Sequence, residues 1–406
     1  MKSEIKKKTK FKNKSKVKSS FKLKKTIKKT KDKNNKYYYI IQSKLLLEDK
    51  YKNTTKMEIF LSKFKERGNW EEFNIKNPQK ESPDFIYMDA DYNLDKSFWV
   101  YKPTLVSYID IRNDNYSISN KYNLIENLKT TDINKKHLLN QIYVNIYDIF
   151  MEKNKYYNIY QKWFDKYKVL IFKPISGIRG ENIEVFKNFN TFKKFIYRFL
   201  KKKYHRLKNF DIEKYNKMGV IKQYLMYNIE WVLQEYIDNP LLYQGLKFHL
   251  RGYFVYHYLD GVKKGYLLNN TTIFTAKEKY KKDDYQNKFI HDTHAKYTLK
   301  DIAFYDDISN IIGKENADNI FNQIIHIFKN VFKIINSKCY LETKNCFNIF
   351  GFDAMITDDF TVKIIETNRD SGTPRIELFD EIMEKIIDYH FPPLIKQPAT
   401  NNFIEL

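Results

Sequence analysis

Two carboxylates and an amide stand on what read as neighbouring strands near the C-terminus, and their types suit a hard divalent cation. The runs Phe350-Gly351-Phe352-Asp353-Ala354-Met355-Ile356 and Val362-Lys363-Ile364-Ile365-Glu366-Thr367-Asn368 read as strands joined by the turn Thr357-Asp358-Asp359. In such a hairpin Asp353 lies beside Glu366, and the period of two puts Asn368 on the face of Glu366. Their oxygens suit Mg²⁺ bridging the phosphates of ATP. Carboxylates in otherwise apolar strands need such a partner, because an unpaired buried charge is expensive.

Three further segments carry chemistry of the same kind. In Ile171-Phe172-Lys173-Pro174-Ile175-Ser176-Gly177-Ile178-Arg179-Gly180 a strand ends in a lysine and runs into a glycine-bearing loop before the next strand. Glycines let backbone N–H groups approach phosphate oxygens, and Lys173 supplies a point charge. Ser176, Gly177, Arg179 and Gly180 are candidates for that loop. Strand, loop, strand argues against a P-loop or Rossmann site and suits a loop folding down over ATP. Read alone, the segment is equally a hairpin with an incidental lysine. The apolar strand Trp231–Ile237 ends at Asp238-Asn239-Pro240, a connection that offers backbone groups and the Gln234 amide to an adenine edge. Lys247, His249 and Arg251 share one face of the next strand by alternation. That face reads either as solvated or as a clamp for a triphosphate and a substrate carboxylate.

The elements that must position these groups form an α/β (α+β) chain. Strand-like runs at Tyr37–Ile41 and Phe98–Ile111, with helix-like Asn53–Arg67 and Tyr122–Leu128, suggest a small N-terminal α/β domain ending near Lys121. Strands at Lys168–Lys173, Ile183–Phe186 and Trp231–Ile237, with a basic amphipathic helix at Thr191–Lys203, make a central unit. A second sheet is expected from Gly245–Tyr258, Gly265–Phe274, Phe350–Ile356 and Thr361–Glu366, covered by helices at Glu315–Asn336 and Ile376–Phe391. The expected divisions are a disordered basic tail at 1–36, an N-terminal domain at 37–121, subdomains at 122–245 and 246–395, and a tail at 396–406.

Composition narrows the class. The 406 residues carry a net charge of +24, but residues 1–36 hold 17 Lys against Glu4 and Asp32, which leaves only +9 for the rest. Such a tail is self-repelling and low in apolar residues. Cys339 and Cys346 are too few for a disulfide framework or a four-cysteine zinc site and read as plain core residues of a reducing compartment. No uninterrupted apolar run reaches membrane-spanning length and no signal-peptide core opens the chain, so a cytoplasmic monomer without membrane contact is expected.

In order and spacing, the segments IFKPISGIRGENI, VLQEYIDNPLLYQGLKFHLR and FGFDAMITDDFTVKIIETN resemble the tubulin-tyrosine ligase family, which includes tubulin polyglutamylases and polyglycylases. ERGNW and SNKYNLIENL extend the similarity upstream, so it covers roughly residues 37 to 391. The resemblance implies an ATP-grasp fold, two sheet-containing subdomains gripping ATP. It implies that Lys121 and Lys173 contact phosphates, and that Gln234, Glu235, Tyr236 and Ile237 hold adenine. Lys247 and Arg251 would handle the γ-phosphate and substrate carboxylate as the catalytic pair, and Asp353, Glu366 and Asn368 would bind Mg²⁺. The implied reaction joins a free amino acid (Glu, Gly or Tyr) to tubulin or another acidic protein tail. Departures stand at His249, where the family's K-F-D-L-R pattern has Asp, at Phe274 in place of a later arginine, and at His291-Asp292-Thr293-His294 in place of H-L-T-N. Two rival readings are an ATP-binding or microtubule-binding protein impaired in catalysis, and a nucleic-acid binder driven by the tail. No nucleic-acid motif stands outside that tail.

Overall fold

Four short strands rich in aromatic and β-branched residues open the fold, and each is followed by enough chain to cross over and return in parallel. In the computed structural model β1 (Tyr37–Gln42), β2 (Trp70–Glu72), β3 (Phe85–Met88) and β4 (Leu105–Ser107) pair in parallel in the order β2-β1-β3-β4. The structure describes residues 36–42, 55–88, 100–107, 118–175, 182–207, 230–293, 302–335, 344–369 and 376–406. Parallel strands need a crossover, and the helix Thr55–Arg67 supplies the one from β1 to β2. It buries Phe60 and Phe64.

A four-stranded antiparallel sheet follows. β5 (Gln141–Asn145), β6 (Leu170–Pro174), β7 (Glu184–Phe186) and β8 (Glu230–Glu235) lie in the order β5-β8-β6-β7. Its outer face is covered by the helices Lys153–Lys166 and Phe189–Leu207, whose Tyr160, Phe164, Phe192 and Ile196 pack on Phe172 and Trp231. Phe172 and Trp231 stack at 4.4 Å between ring centres.

The remaining strands build the large sheet: β9 (Leu242–Tyr243), β10 (Leu246–Leu259), β11 (Val262–Leu268), β12 (Thr272–Lys279), β13 (Ile302–Ala303), β14 (Asn345–Ile356), β15 (Val362–Asn368) and β16 (Phe403–Glu405). β10 is its axis. One edge pairs with β14 from Leu250 to Leu259, and the other pairs first with β12 and then with β11. The single strand expected over Gly265–Phe274 is therefore two strands, broken at Asn269-Asn270-Thr271 and laid end to end along β10. β4 joins the same sheet in parallel through Val106 opposite Cys346, so twelve strands are continuous. Cys346 is disulfide-bonded, which corrects its reading as a plain core thiol.

The two faces of β10 explain where the site lies. Phe248, Leu250, Phe254 and Tyr256 point to a core closed by the helix Lys314–Ile334. On the opposite face Tyr253 and Val255 are covered by the helical segment that begins at Ile376–Ile382 and continues through a π turn at Met383–Ile387. Lys247, His249 and Arg251 are the continuation of that second face by alternation. The same face is core at one end and carries the candidate site at the other. Among the described residues no helix is long and apolar enough to cross a membrane.

Candidate active site

Strand register places three ionic side chains in a row. Arg251 on β10 is opposite Asp353 on β14, and Asp353 is opposite Glu366 on β15. The Arg251 fork closes on Asp353 with Nε to Oδ1 at 2.5 Å and Nη2 to Oδ2 at 3.0 Å. Two parallel charge-assisted bonds fix both groups. Burial works against a charged guanidinium, but the Asp353 carboxylate outweighs it and holds Arg251 above its ordinary range.

Immediately beside this pair the β14–β15 register slips: Asp353 faces Glu366 while Ala354 faces Ile364, which leaves Ile365 as the extra residue of a bulge. A bulge re-aims neighbouring side chains. Asn368 donates from Nδ2 to Glu366 Oε1 at 3.1 Å and to Asp353 Oδ2 at 3.4 Å. The three residues are thus brought together as the sequence suggested.

Cations from other elements complete the ring. Lys121 begins the helix Lys121–Leu128, which Asn120 caps by accepting from the backbone N–H groups of Tyr122 and Asn123. Its Nζ lies 3.1 Å from Glu366 Oε2 and donates to the Ile175 carbonyl at 3.5 Å. Lys173, on β6 of the smaller sheet, is only 4% exposed. Burial pushes its amine down to about 8 against the pull of Glu366. Burial alone would raise the Glu366 carboxyl, yet Lys121, Lys173 and the Asn368 amide together hold it well below the usual carboxylate range. Two hard carboxylates and a reorientable amide, already held against cationic groups, are a donor set that fits Mg²⁺. Ser176, Gly177, Arg179 and Gly180 lie outside the described residues.

A small buried apolar cluster adjoins the charged row. Leu139, just before β5, and Ile237, just after β8, form a small separate cluster with Met355 of β14 and Ile365 of the bulge. Gln234 is buried, with Nε2 donating to Gln141 Oε1 at 3.1 Å, while Gln141 donates in turn to the Tyr122 carbonyl at 2.8 Å. Glu235 accepts from Asn140 Nδ2 at 2.7 Å, and its backbone N–H is given to the Asn140 carbonyl. The Gln234 Nε2 is therefore held by Gln141 across the β5–β8 pair.

Lys247 is as buried as Lys173, and its Nζ donates to Tyr236 Oη at 2.6 Å. Burial pushes its amine down to about 7 from an ordinary 10.5. Between those values the unfolded chain binds more protons than the folded one, so stability rises with pH through this window. The denaturation midpoint is expected to climb from pH 7 to about pH 9.5, and to climb less in Lys247→Met, which carries no titrating amine. Equal slopes in urea titrations of the two proteins would contradict the burial of a charged amine here.

The tubulin-tyrosine ligase family model matches residues 102–398, well over half of the sequence. The chain belongs to the tubulin-tyrosine ligase family. It is 25% identical over 184 residues to a protein named "probable tubulin–tyrosine ligase" of Schizosaccharomyces pombe, covering 42% of this chain and 45% of the relative. It is 28% identical over 157 residues to a "probable alpha-tubulin polyglutamylase" of Tetrahymena thermophila, covering 34% and 37%. A tubulin glycylase of the same organism is 25% identical over 185 residues, covering 39% and 16%. The chain spans less than half the length of each of these relatives. The two-sheet arrangement is consistent with the ATP-grasp fold of the tubulin-tyrosine ligase family.

Within that family framework the departures prove to be neighbours. His249 and Phe274 are cross-strand partners whose rings meet edge to face at 5.3 Å, and the Arg251 guanidinium stands 5.5 Å from the Phe274 ring centre. His249 reaches Thr293 Oγ1 through Nδ1 at 2.6 Å and lies 3.6 Å from Asp353 through Nε2. His291 is no metal ligand here, since its nitrogens are engaged by Tyr236 and the Asp284 carbonyl. Gln141, Asn140 and Leu139 carry no mark in the sequence that singles them out. Only the pairing of its strand with β8 sets Gln141 opposite Gln234.

Proposed function

We propose that this protein is an ATP-dependent carboxylate-amine ligase that joins an amino acid to an acidic protein tail such as that of tubulin. The observation that carries the reading is the row Arg251, Asp353 and Glu366 across three adjacent strands, facing Lys121 and Lys173, beside a small apolar cluster. In this reading a substrate carboxylate oxygen attacks the γ-phosphorus of ATP, the bond to the β-phosphate oxygen breaks, and ADP leaves. An amine then attacks the acyl carbon, expels phosphate and loses a proton to give the amide.

Lys173 and Lys121 would carry charge at the phosphates, and Lys247 and Arg251 would stabilise the transferring phosphoryl group by position and charge. Asp353, Glu366 and Asn368 would hold Mg²⁺, which supplies neutralisation of phosphate charge. The net charge of +24 favours encounter with an acidic tail.

One observation favours a second reading. With His249 against Phe274, and Arg251 closed on Asp353, the substrate side holds one cation fewer than the family pattern implies. A protein that binds ATP without ligating would follow. Labelled Glu, Gly and Tyr, each incubated with tubulin and ATP, separate the two. Incorporation of any one supports ligation; ATP-dependent thermal stabilisation without incorporation supports binding alone; neither effect sinks both.

A further inference from the structure

Lys247 ends a series of hydrogen bonds that no step of the proposed chemistry uses. Its Nζ donates to Tyr236 Oη at 2.6 Å, Tyr236 Oη lies 2.6 Å from His291 Nδ1, and His291 Nε2 lies 2.8 Å from the Asp284 carbonyl oxygen. A carbonyl only accepts, so Nε2 carries a hydrogen and neutral His291 presents a bare Nδ1. The Tyr236 hydroxyl then donates to His291, and its lone pairs are left for Lys247. All three bonds run in one direction.

The surroundings keep the histidine in place. Its ring stacks on Tyr285 at 5.5 Å and meets the edges of Tyr236 and Tyr280, each at 5.8 Å. The Tyr285 hydroxyl donates to Asp238 Oδ1 at 2.5 Å, and the Tyr280 hydroxyl donates to the Asp238 carbonyl at 3.0 Å. The other charged groups around this box are Asp284 beneath His291, Lys282 at 3.2 Å from Asp238, and Lys187, which pairs with Asp283 and lies over the Tyr285 ring. Burial and the nearby Lys247 both favour the neutral imidazole.

Protonating His291 would put a hydrogen on Nδ1, which the Tyr236 oxygen must accept. The tyrosine hydroxyl then turns toward Lys247, which at the pH below 6.5 where His291 protonates is itself an ammonium with no lone pair to offer. We propose that His291 is a positioning residue which, acting through Tyr236, fixes the Lys247 Nζ at the phosphate end of the proposed nucleotide site. The proposal rests on the reading of this region as an ATP site, and it ties Tyr236 to the lysine that would meet the phosphates.

Equilibrium binding of a fluorescent ATP analogue to the full chain tests it without requiring turnover. Tyr236→Phe and His291→Phe are each expected to weaken binding roughly tenfold, and the double variant to be no weaker than either, because the two act in series. His291→Asn, whose Oδ1 stands in for Nδ1 and does not titrate, is expected to restore affinity at pH 7.5. It should also lack the loss that the natural chain shows as pH falls below the ordinary histidine value of 6.5. Losses that add in the double variant, or variants that bind like the natural chain, overturn the positioning role and leave the ATP site standing. Absence of ATP binding by the natural chain overturns the ATP site and this proposal together.

Discussion

Glu366→Gln is expected to lower amino-acid ligation by at least about a hundredfold while the fold persists. The carboxylate sits between Lys121 at 3.1 Å and the Asn368 amide at 3.1 Å, opposite Asp353 in register. Gln keeps the shape and removes the charge that both lysines face. The structural penalty is limited because Lys173, already pushed down to about 8, can release its proton when its carboxylate partner is gone. The catalytic penalty has no such relief, since a neutral amide does not balance the divalent cation that would neutralise the phosphate charge. Initial rates with labelled amino acid, measured beside a thermal melt of the same preparation, check both halves. Rates equal to those of the natural chain would remove Glu366 from the site.

Gly252→Ala is expected to destabilise the protein by about 3 kcal/mol or to prevent folding, through overpacking at the axis of the large sheet. A Cβ at Gly252 would lie 2.2 Å from Cζ of Phe352, its cross-strand partner. That ring has no room to withdraw, because Phe328 of the covering helix stands 4.2 Å away and Phe254 packs on Phe328 at 5.0 Å. Relief must come from the backbone of β10 or β14. Those strands carry the Arg251–Asp353 pair one register position from the clash, so any surviving fold should bind ATP more weakly as well. Urea denaturation is the measurement, and a midpoint equal to that of the natural chain would contradict the packing.

Much of the carboxylate site is legible in the sequence because period-two alternation is local. Asp353, Glu366 and Asn368 lie on a hairpin whose turn residues are adjacent, and no distant information is needed to bring them together. The bulge is a different matter. Ile364 and Ile365 are both apolar, so the pattern does not say which one faces the core; pairing leaves Ile365 to join Leu139, Ile237 and Met355.

Parallel pairing leaves no local trace either. The contact between Val106 and Cys346 joins segments far apart in sequence, and the N-terminal strands read as a sheet of their own until that contact is seen. The break between β11 and β12 did have a signal, the Asn269-Asn270 pair, obscured by apolar residues on both sides. Gln234 reads from the sequence as an amide offered to an adenine edge, but its hydrogen bond depends on Gln141, which only strand pairing sets opposite it. Lys247 was assigned by type, whereas its placement by Tyr236 and His291 required three segments to meet.

The most direct test of the ligase reading is the mass of tubulin C-terminal peptides after incubation with the chain, ATP, Mg²⁺ and Glu, Gly or Tyr. The expected result is an increment of one amino-acid residue for at least one of the three, absent without ATP and absent with Glu366→Gln. Unchanged peptide masses with all three amino acids, from a preparation that binds ATP, would contradict tubulin ligation by this site.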